Sequence, residues 1–277
     1  MPARADLAAA CAAWRLRLPS LPAFGASGER LGRGTGSSLE FTDFREYVPG
    51  DDLRHVDWRA YARTDALHVR LFREEVAPHL DIVLDVSASM GVTDAKSRAA
   101  RDLAEAFRLW AADGGTRARC LAAGGDEVLD PESLTFTADA AGEGSARLGL
   151  VPTRPLRPRA LRAVVSDFLW ERDPAPDLRR LAAGAAHLYV VHLLDPWEAD
   201  PSAEGARTLV DVEQGERLEL ELDAATVAGY RDRLGRLRDD VARAVRAAGG
   251  TYALVLAAPA ARMFREALAP QGVIEPS

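Results

Sequence analysis

The ten residues from Asp81 to Met90, DIVLDVSASM, begin as a strand and end as a set of oxygen donors. Ile82, Val83, Leu84 and Val86 form a short, almost unbroken run of β-favouring apolar side chains, the pattern of a strand covered on both faces of a parallel sheet. Asp85, Ser87 and Ser89 follow at its carboxyl end, the edge where open α/β sheets bind ligands. Side chains two apart on an extended chain project to one side, so a carboxylate and two hydroxyls can converge where the strand breaks into a loop. Hard oxygen donors of this kind suit Mg2+, with Mn2+ as the alternative ion, far better than zinc or copper. Two readings fit the pentapeptide alone: a metal site, or two serines bonded to nearby backbone in a turn.

The rest of the chain must be able to cover such a strand. At 277 residues and 48% hydrophobic, it can bury a full core, as one elaborated domain or one domain with a small appendage. Lys and Arg number 35 against 42 Asp and Glu, and the resulting charge of −7, with both signs mixed along the chain, disfavours nucleic acid as a partner. Cys11 and Cys120 lie in unrelated segments with neither disulfide density nor zinc spacing, and read as ordinary reduced thiols. No run approaches the roughly 18 apolar residues of a membrane span. DLAAACAAW is too short and is followed by RLRLP, so it does not read as a signal peptide, and cytoplasm is the default compartment.

Upstream of the central strand, residues 4–18 read as one short helix ended by Pro19 and Pro22. GASGERLGRGTG at 25–36 lacks the preceding strand of a phosphate-binding loop. Residues 37–75 interleave aromatics, arginines and acids, with a tight turn at Pro49-Gly50-Asp51-Asp52 and a strand from Leu67 to Phe72. They read as a charge-laced flap over the sheet, with Arg54 and Asp57 fixing it and Trp58 beneath. The expected division is therefore 1–76 as helix, loop and flap, and 77–277 as the α/β domain.

Downstream, Thr93 or Asp94 can cap a helix through Trp110, with Ala99, Leu103, Ala106, Phe107 and Trp110 on one face. A strand from Thr116 to Ala122, a turn at Gly124-Gly125-Asp126 and a return at Val128 continue a βαβ progression. Leu161 to Val165 is a second buried strand ending at Ser166-Asp167. Then come a helix at Leu178–Ala186 and the strand HLYVVHLLD, on which His187 and His192 sit on opposite faces and cannot share one metal. Arg207–Val212 and Glu216–Leu222 bracket Glu213-Gln214-Gly215 as a hairpin. Asp223 caps a long helix whose stripe of Val227, Tyr230, Leu234, Leu237, Val241 and Val245 docks on the sheet. TYALVLA is a last strand, and Pro259 to Leu268 a last helix.

Two stretches carry a resemblance. Asp-x-Ser-x-Ser at a strand end resembles the metal-ion-dependent adhesion site (MIDAS) of von Willebrand factor A domains, and REYVPGDDLRHVDWRAYARTDALHVRLFREE resembles the signature of the bacterial domain-of-unknown-function family 58 (DUF58), in which it precedes such a strand. TLVDVEQGERLELEL is also similar to that family's carboxyl-terminal region. The resemblance implies a von Willebrand factor A-like, Rossmann-like, mainly parallel sheet flanked by helices, with an N-terminal flap and a C-terminal β-hairpin. It also implies that Asp167 is a second metal-site aspartate; the alternative is a carboxylate capping the next turn. Residues 130–160, where the family places a threonine ligand, look shortened, and neither Ser145 nor Thr153 sits in a convincing motif.

The expected function is a non-catalytic protein-interaction module, with Mg2+ on Asp85, Ser87, Ser89 and Asp167 receiving a carboxylate from an acidic client. The resemblance implies a MoxR-type AAA+ ATPase as partner. The alternative is a metal-dependent hydrolase using Asp57, Asp85 and Asp167. No serine sits in a Gly-x-Ser-x-Gly elbow, and no catalytic residue is assigned.

Overall fold

A computed structural model describes residues 2–18, 39–49, 56–74, 79–131, 133–134, 136, 149–170, 172–202, 205–210 and 217–277. The glycine-rich stretch at 25–36, the turn from Gly50, Arg54, Ser145 and the tip at 213–215 lie outside them. The chain divides into two compact units, Met1–Pro19 with Pro78–Ser277, and Ser20–Ala77. The division falls differently from the 76/77 cut expected from the sequence, because the first residues belong with the sheet. Helix α1 (Pro2–Cys11) is followed by strand β1 (Trp14–Leu16), not by more helix. Leu7, Cys11 and Leu16 join the main core, and the Cys11 carbonyl accepts from Trp110 Nε1. The alternating polar and apolar side chains of residues 14–17 suit an extended chain better than a helix turn.

In the unit spanning Ser20–Ala77, β2 (Leu39–Glu46) and β3 (His68–Glu74) pair antiparallel, and α2 (Trp58–Thr64) lies between them in sequence. Asp57 caps α2, its Oδ1 accepting from Arg59 N and Ala60 N at 3.0 and 3.1 Å. Trp58, expected beneath the flap, is 56% exposed and stacks edge-on with Tyr61. Its place on the first turn of a helix with no buried residue explains the difference.

The larger unit continues through β4 (Leu80–Leu84), α3 (Asp94–Asp113), β5 (Ala118–Ala122), β6 (Val128–Leu129), β7 (Leu161–Ser166), α4 (Ala175–Ala182) and β8 (His187–Leu194). Then follow α5 (Pro196–Ala199), β9 (Gly205–Val210), β10 (Arg217–Leu222), α6 (Ala224–Ala247) and β11 (Thr251–Leu256). Last come α7 (Ala260–Met263), which runs into a π-type turn at Phe264–Leu268, and β12 (Ile274–Pro276), which pairs with β1. The six-stranded sheet has the order β11-β8-β7-β4-β5-β6 and is parallel except at β6. This is the Rossmann-like α/β architecture read from the sequence. The hairpin of β9 and β10 stands apart from the sheet, as expected.

Alternation along the strands sorts the core into two layers. Leu80, Ile82 and Leu84 of β4, Leu161, Ala163 and Val165 of β7, and Tyr189, Val191 and Leu193 of β8 share one cluster with Leu103, Phe107 and Trp110 of α3. Val83, Val164, Leu188 and Val190 pack in the other with Leu178 and Leu181 of α4 and Val241 and Val245 of α6. Helices on both faces explain why the strands are apolar at most positions and not only at alternate ones. Buried polar exceptions include His192 of β8, Arg162 of β7, whose guanidinium donates to the Leu181 and Ala183 carbonyls, and Asp81 of β4, fully buried, which Arg119 pairs through Nε at 2.7 Å and Nη2 at 3.1 Å.

Strand order also locates the crevice. The chain leaves β4 to one side for β5 and returns on the other side to β7, so the order reverses between β4 and β7, where open sheets gather ligands at their carboxyl ends. Asp85 follows β4 and Asp167 follows β7.

Candidate metal centre

Asp85 still behaves as a strand residue at its backbone, its N–H donating to Val165 O at 2.9 Å. Its side chain then turns the chain: Oδ1 accepts from Ser87 N at 3.0 Å, and Oδ2 accepts from the Ser166 hydroxyl at 2.6 Å. Ala88–Gly91 form one 3-10 turn, anchored by the fully buried Met90. Gly91 is required there, because a Cβ would stand 2.7 Å from Phe136 Cβ and 2.8 Å from its carbonyl oxygen. The result brings Ser87 Oγ and Ser89 Oγ within 3.0 Å of each other. Asp85, Ser87 and Ser89 are thus gathered on one turn.

Asp167 ends β7 differently. Its Oδ1 accepts from Leu169 N at 3.0 Å, and its Oδ2 accepts from Lys96 Nζ at 2.8 Å. The next residue, Phe168, is buried with φ of +56°, a left-handed conformation unusual for a bulky side chain. Ser166 Oγ accepts from Phe168 N, so one hydroxyl ties this strained turn to Asp85. The Lys96 ammonium, wholly buried, also donates to Glu198 Oε1 at 2.8 Å. Glu198 in turn accepts from Asp195 N through Oε2, and Asp195 Oδ2 accepts from Thr93 Oγ1 at 2.7 Å. The amino end of α3 and the capped start of α5 are therefore clamped together around one ammonium.

The charges are unevenly compensated. Burial, and then the nearby Asp167 carboxylate, push the Asp85 carboxyl up to about 6, although Ser166 and Ser87 hydrogen-bond to it. Burial works against the Lys96 ammonium too, but Asp167 and Glu198 outweigh it and hold the group above its usual range. His192, buried on β8 with Nδ1 against Tyr252 OH, is driven down to about 4 chiefly by burial and stays neutral. His187 meets Thr251 instead. The Cys11 and Cys120 thiols are pushed up to about 12 by burial, as suits inert core sulfurs.

A hard divalent ion fits this donor set in part. Two ligands at about 2.0–2.1 Å on adjacent octahedral positions stand about 2.8–3.0 Å apart, and the serine hydroxyls are separated by 3.0 Å beside an ionisable carboxylate. Among the described residues, no three His, Cys, Asp or Glu side chains gather as metal ligands, so an ion here would rest on one or two carboxylates and hydroxyls. Asp85 and Ser87 also line a cleft of about 20 Å³ with Val86, Ala123, Gly149, Leu150 and Trp170. That is room for about one water-sized group. The Trp170 indole nitrogen is buried without a hydrogen-bond partner among the described residues. Thr153 is exposed, its N–H spent on Gly125 O.

Lys96, Glu198 and the Ser166 hydroxyl escape a reading of the sequence. Lys96 is the sole lysine of the sequence, against 34 arginines, which is its one signal there; that it is wholly buried only the fold shows. Glu198 carries one faint signal, since it stands three residues after the capping Asp195.

The chain is similar to two mycobacterial proteins, "Uncharacterized protein Rv1480" of Mycobacterium tuberculosis and "Uncharacterized protein Mb1516" of Mycobacterium bovis. Each is 29% identical over 241 residues, covering 80% of this chain and 76% of the relative. Among solved structures, the conserved hypothetical protein BatB from Bacteroides thetaiotaomicron aligns at 12% identity with a TM-score of 0.31, over 67% of this chain and 93% of that one. The family model "Protein of unknown function DUF58" matches residues 43–133 and 144–240, and the chain belongs to that family.

Proposed function

We propose that the carboxyl edge of the sheet is a protein-binding surface built around a Mg2+-type ion held by Asp85, Ser87 and Ser89, with Asp167 beside it. The observation that carries this reading is the 3.0 Å approach of the two serine hydroxyls next to Asp85, at the crevice where strand order reverses. A bound ion would supply an open position for a carboxylate from an acidic client. Asp85 orients the turn through Ser87 N, and the serines contribute neutral oxygens that leave an ion more of its charge than an all-carboxylate cage would. An oxygen entering the cleft could also satisfy the Trp170 N–H.

Exposed apolar side chains favour a macromolecular ligand. Val92, Leu169, Trp197 and Leu256 are 44%, 38%, 48% and 43% exposed, and each stands at or just beyond the carboxyl end of a parallel strand or its first turn. Such residues around a polar centre are the usual makings of a docking face. The resemblance to DUF58 proteins adds a MoxR-type AAA+ ATPase as the proposed partner. The hydrolase alternative loses support from Asp57, whose Oδ1 is committed to capping α2.

Calorimetric titration of the wild type and Asp85→Ala with Mg2+ and Mn2+, alongside capture of partners from native extract with Mg2+ or chelator, tests the proposal. Metal-dependent capture lost in Asp85→Ala is expected. Equal binding by both proteins, or capture indifferent to chelator, would refute it.

A further inference from the structure

We propose that Lys96 is a built-in cation that keeps Asp167 out of the inner coordination shell, leaving Asp85 as the only charged ligand of the bound ion. The inference rests on the divalent-cation reading of the site. It is drawn from how the two strand-end carboxylates are compensated. Both are buried, but Asp85 is met by neutral donors, Ser87 N and the Ser166 hydroxyl, whereas Asp167 is met by a full positive charge at 2.8 Å. An ammonium at that distance, shared with Glu198, holds Asp167 Oδ2 in place and compensates part of its charge, and the other oxygen, Oδ1, is taken up by Leu169 N. Among the described residues, Asp85 has only neutral donors, and no cation, as hydrogen-bond partners.

Lys96 is also held too firmly to be a passing neighbour. Lysine is almost never fully buried unless paired, and here Nζ spans Asp167 and Glu198 while its backbone N–H donates to the Thr93 cap. Glu198 is locked by Asp195 N, and Asp195 by Thr93, so both ends of the lysine are anchored in one closed network. For Asp167 to turn toward an ion, it would have to leave the ammonium without a second carboxylate. Lys96 is therefore a positioning residue: it sets how many anions the ion meets, and hence how strongly that ion attracts a carboxylate from outside.

The test is the number of exchangeable waters on bound Mn2+, measured by water-proton relaxation at saturation, with affinity from the electron paramagnetic resonance of free Mn2+. The full chain is compared as wild type, Asp167→Asn, Lys96→Met and the double variant, with Asp85→Ala as the site control. The wild type and Asp167→Asn should carry the same number of waters. Lys96→Met should carry one fewer and bind at least tenfold tighter, and both changes should vanish in the double variant. An extra water in Asp167→Asn, or an unchanged number in folded Lys96→Met, overturns the proposal; if Lys96→Met does not fold, Asp167→Asn decides. Should the wild type show no Asp85-dependent binding, the function proposed above fails. In that case Asp85-dependent binding by Lys96→Met upholds the role of Lys96, and its absence overturns that role as well.

Discussion

Asp85→Asn should make the ion-free protein more stable at pH 8. The wild-type carboxyl is lifted from 3.8 to about 6 by burial and by Asp167. At about 1.4 kcal/mol per pH unit, that rise corresponds to a cost of about 3 kcal/mol for keeping the group ionised in the fold. Asparagine removes the charge but returns part of the gain. Its oxygen can still accept from Ser87 N, but its amide nitrogen then faces Ser166 Oγ, so the Ser166 hydroxyl proton loses its acceptor, at a cost of about 1–2 kcal/mol. A net gain of about 1–2 kcal/mol remains, or about 2–8 °C in melting temperature for a unit of this size. Because the folded value lies above the unfolded one, the wild-type penalty is complete above about pH 6, shrinks as pH falls, and is gone below about 4. Thermal melts in chelator from pH 8 to pH 4 should therefore show the variant's advantage narrowing steadily. A variant less stable at pH 8, or an advantage independent of pH, would refute the reasoning.

Two further substitutions probe the scaffold. Arg119→Met strands the buried Asp81 carboxylate, leaving it the Arg157 N–H at 2.7 Å and a distant Arg157 guanidinium at 3.9 Å, so urea unfolding should show a loss of about 3 kcal/mol, the low end for a broken buried pair. Asp57→Ala removes the cap of α2 and should cost about 1 kcal/mol in a thermal melt; a loss of about 3–5 kcal/mol would instead reveal a buried ion pair.

The site and the stability of the fold pull against each other at Asp85. A buried, ionisable carboxylate beside a second one is a poor choice for packing, and a useful one for holding a cation. The φ of +56° at Phe168 belongs to the same economy, since it lets Ser166 reach both Phe168 N and Asp85. Such positions are where local rules are expected to be broken.

Much of the architecture is written in local pattern. The largely apolar runs at 82–86, 161–165 and 188–194 identify the buried strands, because strands covered on both faces read as near-continuous apolar runs and not as an alternation. The 3.6-residue stripe of Val227, Leu234, Val241 and Val245 identifies α6, and those four residues are buried as it requires. Asp85, Ser87 and Ser89 were legible as a group because they are near neighbours on one chain segment, where spacing and backbone geometry suffice. The strand assignments of β1 and β12 were not, since their pairing joins residues more than 250 positions apart and each is only three residues long. Trp58 was misplaced for a related reason: an aromatic in a mixed sequence has no period to say which way it faces. Above all, the Lys96 clamp could come only from the tertiary structure. Its partners lie 71 and 102 residues away, and a lysine's burial depends on which carboxylates the fold carries to it, a condition that no spacing within α3 records.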